Sequence, residues 1–178
     1  ELTEIPAPPF LEEARGQRFA ELLNQLGADS VWTDTAGNVI GLRRGRSGER
    51  TVGFGGHLDT VFPEGTDVTV SQIGDTLFAP GIGDDTRGLV VVLTALRAME
   101  EAGVETEDDV LFVGVVGEEG LGDLRGMKHL FREPNEAPDV WIDVDGGGLR
   151  RLVTMGLGSV RYRIAFNGPG GHSWGAFG

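Results

Sequence analysis

Apolar positions along the chain follow two periods, and the period assigns the elements. Phe19, Leu22, Leu23 and Leu26 recur at i, i+3, i+4 and i+7, the spacing that lines one face of an α-helix. Pro8-Pro9 and Glu12-Glu13 come before this run and Gly27 after it, so a helix with a proline-marked start and a glycine stop is predicted. Short β segments are predicted at 31–33 and 39–42, with Gly37-Asn38 as the turn between them. A further strand at 51–55 runs straight into Gly56-His57-Leu58-Asp59. Residues 68–70 and 76–78 are predicted to pair as a hairpin through Gly74-Asp75.

From Arg87 to about Glu101 the chain reads as one long helix that stops at Gly103 and is apolar on more than one side, as expected of a helix packed on a sheet. Residues 109–116 form a near-continuous apolar run of the kind found in strands buried on both faces. A short helix around 126–131 and a strand at 140–144 follow. Helices alternating with buried strands predict an α/β sandwich. Residues 159–167 differ: Val160, Tyr162, Ile164 and Phe166 alternate with Arg161, Arg163, Ala165 and Asn167. That is the period of a half-exposed strand, and a domain boundary is expected near Leu157-Gly158.

Composition narrows the chemistry. The 178 residues fit one domain better than two, and 39% hydrophobic residues suffice for a packed core. The 28 acidic residues against 15 basic ones give a net charge of -13, which repels phosphate backbones and anionic lipid, so neither nucleic acid nor a membrane surface is expected as a partner. The longest apolar run, Leu89 to Leu93, is far too short to span a bilayer, and no secretory signal is visible. With no cysteine there is neither a disulfide framework nor a thiolate metal site, and the expected location is cytoplasmic. Any metal must be held by His and carboxylates. The 30 glycines, far above the ~7% of average proteins, gather beside acidic residues and His.

Each candidate site lies where an apolar strand ends and a glycine-bounded loop begins, the rim at which open α/β sheets bind ligands. In Gly55-Gly56-His57-Leu58-Asp59-Thr60, the Asp59 carboxylate can accept a bond from the His57 imidazole and fix its tautomer, as partners of metal-bound His do; an incidental His-x-Asp is the alternative. Asp84-Asp85 opens the long helix, where carboxylates serve either as caps or as bridges between two cations. Glu118-Glu119, in Gly117-Glu118-Glu119-Gly120, ends the buried strand: one can hold a metal while the other handles protons, or both can simply face solvent. Asp145, in Asp143-Val144-Asp145-Gly146-Gly147, is either a ligand or part of a tight turn. His172, in Gly168-Pro169-Gly170-Gly171-His172-Ser173, has no acidic orienter and no G-x-S-x-G elbow beside it, which argues against a serine hydrolase. His129 reads as a surface helix residue. Nitrogen and oxygen donors of this kind suit Zn, Mn or Co, and carboxylate bridging suits a pair of metals.

The ordered set Gly56-His57-Leu58-Asp59-Thr60-Val61, Gly83-Asp84-Asp85-Thr86-Arg87-Gly88, Gly117-Glu118-Glu119-Gly120 and Asp145-Gly146-Gly147 resembles the dinuclear zinc metallopeptidases of family M20, which include peptidase T, dipeptidases, glutamate carboxypeptidase and aminoacylase. The turn at 168–173 resembles the start of that family's inserted lid domain. The resemblance implies a zinc-exopeptidase-like three-layer α/β sandwich with a mostly parallel mixed sheet over residues 1–157, and the beginning of a smaller α+β lid domain over 158–178. It implies His57, Asp84, Glu119 and Asp145 as ligands of two Zn2+ ions (Co2+ or Mn2+ as substitutes), with Asp84 bridging. Glu118 is implied as general base, Asp59 as the partner that orients His57, and His172 as a lid residue that stabilises the oxyanion in a neighbouring subunit of a homodimer. Asp rather than Glu at 145 points to an aminopeptidase or dipeptidase acting on peptides. A deacylase acting on N-acyl amino acids, and a non-catalytic homologue, are the alternatives. The family's further His ligand, beyond the lid, has no counterpart in these residues, which implies a portion of a longer chain.

Overall fold

The computed structural model describes residues 1–132, 137–146, 150–172 and 174–175, and the chain divides into two compact units, Glu1–Gly147 and Gly148–Gly178. The first is built on a five-stranded sheet in the order β1-β2-β6-β3-β7: β1 Ser30–Thr33, β2 Val39–Arg43, β3 Thr51–His57, β6 Asp109–Val115 and β7 Val140–Asp143. β3, β6 and β7 run parallel, while β2 is antiparallel to both β1 and β6. Two helices, α1 Glu13–Gln25 and α2 Arg87–Glu101, and a short α3, Arg125–Leu130, complete the three layers.

The central strand explains why the sequence read as it did. On β6, Phe112 faces a core shared with Phe19 and Leu23 of α1 and with Leu89, Val92, Leu93 and Leu96 of α2. Leu111, Val113 and Val115 belong to a second core with Ile40 and Leu130, against which Trp32, Met127 and Trp141 pack. A strand covered on both faces needs apolar residues at every position. On α2 the buried set follows the i, i+3, i+4, i+7 spacing, while Val90 and Val91 are exposed.

Two predicted strands are not found where they were expected. The hairpin forms from β4 Ser71–Ile73 and β5 Thr76–Phe78, three residues later on its first arm than predicted. The Asp67 carboxylate takes the Thr69 N–H (2.9 Å) and Glu4 takes that of Val70 (3.3 Å), so those donors are lost to a ladder. The two-residue turn at Gly74-Asp75 then fixes the register as Ile73 opposite Thr76. The alternating stretch at 159–167 is not a strand: the described residues of the second unit carry neither helix nor strand. An alternating pattern supplies a face but no partner for the backbone hydrogen bonds, and a strand requires both. The boundary expected at 157–158 lies within the second unit.

Candidate metal centre

Parallel pairing brings three strand ends to one rim. His57 closes β3 opposite Val115 of β6, so the Glu118-Glu119 loop begins beside it. β7 pairs with β3 on the other side, and the Val144 N–H donates to the Gly55 carbonyl (2.8 Å), which carries Asp145 to the same edge. Asp84 arrives from the turn Ile82–Thr86 that opens α2, and a cis peptide joins it to Asp85.

His57 is 3% exposed and sits at the centre. Its Nε2 lies 2.9 Å from Asp84 Oδ1 and 3.9 Å from Asp145 Oδ1. His57, Asp84 and Asp145 each offer a donor atom within 4.8 Å of the others, and so do His57, Glu118 and Glu119. One imidazole with carboxylate oxygens gathered about it is a donor set suited to a divalent cation. The two groupings share His57 and divide the carboxylates between them.

Asp59 holds the site together differently from the expectation. His57 Nδ1 faces the Asp59 backbone oxygen at 2.9 Å, while the carboxylate stands 3.7 Å away. A carbonyl can only accept, so Nδ1 carries a proton; with no cation between them Nε2 carries one as well and donates to Asp84, and once that proton is shed the Nε2 lone pair is free for a metal. The fully buried Asp59 carboxylate accepts the backbone N–H groups of Glu118 (3.0 Å) and Glu119 (2.9 Å). The sequence showed the pairing of His57 with Asp59 but not the part played by the backbone.

Two further residues complete the site: Asp85, which the sequence offers only as half of an undivided acidic pair, and Arg15, to which it gives no pointer. Asp85, 1% exposed, accepts the His57 N–H through Oδ2 (3.0 Å) and the Gly88 N–H through Oδ1 (3.1 Å). Capping and site-building, weighed as rivals for the acidic pair, therefore fall to different members: Asp85 caps α2 and Asp84 faces the imidazole. A Cβ at Gly56 would approach within 2.5 Å of Asp85 Oδ2, which accounts for one glycine beside the cluster. Arg15, fully buried on the apolar stripe of α1, donates to the carbonyls of Leu58 (2.7 Å) and Ile5 (2.6 Å). It thus ties the amino-terminal segment to the peptide between His57 and Asp59.

Crowded acids move the titrations. Burial alone would lower the His57 pKa, but Asp59 beside it and the charges of Asp85 and Glu118 push it up to about 10. Burial raises the Asp85 carboxyl to about 7. Burial, followed by the neighbouring carboxylates, raises Glu118 and Glu119, and hydrogen bonds hold Asp59 down in spite of its burial. His172 belongs to the second unit, where its Nδ1 accepts the Trp174 N–H (3.2 Å). His129, on α3, lies 3.3 Å from the Thr35 hydroxyl.

Known proteins share both the sequence and the fold. The chain is 34% identical over 121 residues to a putative [LysW]-lysine/[LysW]-ornithine hydrolase of Pyrococcus abyssi, covering 68% of this chain and 32% of that protein. It is 28% identical to carboxypeptidase G2 of Pseudomonas sp., covering 85% and 38% respectively, and 29% identical to the N-carbamoyl-L-amino-acid amidohydrolase of Paenarthrobacter aurescens, covering 86% and 34%. The chain thus spans about a third of the length of these relatives. The aminopeptidase PepT of Bacillus cereus has the same fold, with a TM-score of 0.67 at 24% identity, covering 83% of this chain and 41% of that one. The sequence profile of peptidase family M20/M25/M40 matches residues 53–170, from within β3 through every strand end that contributes to the cluster, and the chain belongs to that family of hydrolases.

Proposed function

We propose that this chain carries most of the catalytic centre of a metal-dependent amide hydrolase, an exopeptidase of the aminopeptidase or dipeptidase type. The observation that carries the reading is His57 Nε2 facing both Asp84 and Asp145, with Glu118 and Glu119 grouped around the same ring. His57, Asp84 and Asp145 would hold one ion, and Asp84 and Glu119 would contribute to a second. Zinc suits these donors, and cobalt or manganese would substitute. When bound, such a pair of ions supplies Lewis-acid polarisation of the amide carbonyl and lowers the pKa of water from 15.7 towards ~7.

The remaining work falls to the chain. Glu118 takes a proton from water and passes it to the departing nitrogen, and its raised pKa suits a group that must do both near neutral pH. Asp59 holds the Glu118 backbone in place, and Asp85 does the same for His57. His172 is assigned to the oxyanion of a neighbouring subunit in a homodimer joined through the second unit. Asp145, as in aminopeptidase-type members, favours peptides with a free amino group as substrates. The name of one relative, an N-carbamoyl-L-amino-acid amidohydrolase, favours a second reading, hydrolysis of N-carbamoyl or other N-acyl amino acids.

The test uses metal content and turnover together. His57→Ala should lose tightly held zinc. Glu118→Ala should keep its zinc and lose at least ~10²-fold in kcat; near-normal turnover would remove Glu118 as the base. Comparing free-amine dipeptides with N-acetyl and N-carbamoyl amino acids decides between the substrate classes.

A further inference from the structure

Against Gly117, at the start of the Glu118 loop, stands an ion pair between residues 113 positions apart. Glu12, 4% exposed, accepts from Arg125 Nη2 through Oε2 at 2.7 Å. The Phe10 ring centroid lies 4.8 Å from Arg125 Cζ. The guanidinium and its stem lie against Gly117, the residue immediately before Glu118: a Cβ on Gly117 would stand 2.8 Å from Arg125 Cγ and 2.9 Å from Cζ and would overlap Nη1. Gly117 has φ +65, and its carbonyl accepts the Arg125 backbone N–H at 3.3 Å.

The approach of Arg125 is built at some expense. The two residues before it, Asp123 and Leu124, have φ +54 and +55, left-handed conformations that cost non-glycine residues about 1–2 kcal/mol each. Gly122 closes the loop by donating to the Glu119 carbonyl (2.8 Å), and the Gly126 N–H donates to the Val116 carbonyl (3.0 Å). Residues 117–122 are therefore clamped from two sides, by the Asp59 carboxylate through the amides of Glu118 and Glu119 and by the Arg125 side chain through Gly117. Arg125 is in neither carboxylate grouping around His57.

We propose that Arg125, fixed by Glu12, is a positioning residue that sets where the Glu118 carboxylate stands by pressing on the Gly117 backbone. The role rests on the reading of Glu118 as the base. Its removal should affect the chemical step more than substrate binding, because displacing a catalytic group by about 1 Å can cost up to ~10²-fold in rate. Arg125→Lys keeps the charge but not the flat guanidinium. Arg125→Met removes the charge and leaves Glu12 buried without its partner, so the double variant Glu12→Gln/Arg125→Met restores neutrality and separates positioning from folding.

The experiment measures kcat, KM and zinc content of these variants in the native enzyme, on free-amine dipeptides and N-acetyl amino acids, with amide hydrogen exchange over 116–124 as a readout independent of turnover. The expected result for Arg125→Met and for the double variant is a kcat at least ~10-fold lower, KM within about twofold, zinc retained, and exchange at least ~10-fold faster, confined to that loop. Arg125→Lys should recover part of both losses. Wild-type kcat or unchanged loop exchange in a folded double variant would overturn the proposal. Glu118→Ala is the control: if it stays active, the assignment of the base has failed, whereas an inactive Glu118→Ala beside a fully active double variant overturns only the role of Arg125.

Discussion

At Asp85 two structural tasks meet in one carboxylate, since the oxygens accept N–H groups from His57 on β3 and Gly88 on α2. An asparagine there would turn a donor towards one of those N–H groups. Asp85→Asn should therefore weaken zinc affinity by about 10–100-fold through loss of the partner that orients the ligand strand. It should also lower stability by about 1–3 kcal/mol, the usual cost of an unsatisfied buried group. Calorimetric zinc titration and denaturant unfolding check the two numbers separately, and unchanged affinity would reduce Asp85 to a helix cap. Neighbouring residues such as Asp84 and Asp85 are indistinguishable by pattern, because a turn with non-helical backbone sends them in different directions. Arg15 was equally hidden: its partners are carbonyl groups, which every residue carries and no motif records.

At the scale of elements, periodicity located the helices and the buried strands because burial against a sheet imposes it. α2 begins and ends where the apolar run and Gly103 placed it, and β6 ends within one residue of its predicted limit. What the pattern missed was side chains competing with the ladder. Asp34 is the strongest example: its Oδ1 accepts the N–H groups of Ala36, Gly37 and Asn38, each at 2.9 Å, and Oδ2 accepts from Asn38 Nδ2 at 2.7 Å. The turn between β1 and β2 was assigned to Gly37-Asn38, yet this carboxylate organises it. Asp34→Ala should lower stability by about 2 kcal/mol, seen as a lower denaturant midpoint at constant m-value. Loss of less than about 0.5 kcal/mol would mean that the glycine alone suffices.

At the scale of the whole molecule, the excess of acid has a pH signature. A group whose folded pKa lies above its unfolded value binds more protons folded than unfolded, so its stabilisation is present at low pH and lost as pH rises. Asp85 loses its contribution as pH climbs from the ordinary carboxylate range to about 7, and His57 between about 6.5 and about 10, with Glu118 and Glu119 moving in the same direction. Asp59, held down, opposes them only at acid pH. After chelation, the thermal midpoint should therefore fall steadily from about pH 5 to about pH 9. Added zinc should flatten or reverse that slope, because ligands must shed protons to bind it. A midpoint that rises with pH in the chelated protein would contradict the assigned shifts. No described helix is long and apolar enough to cross a membrane.

One residue, Asp59, touches the imidazole with its backbone and the glutamate loop with its side chain. One span between those two parts therefore runs through a single amino acid, beside the holds that Asp85 and Arg125 keep on either part. A displacement of the rim that carries Asp59 with it should thus move both parts together, as common-mode motion. The site behaves as a calliper with a one-residue jaw.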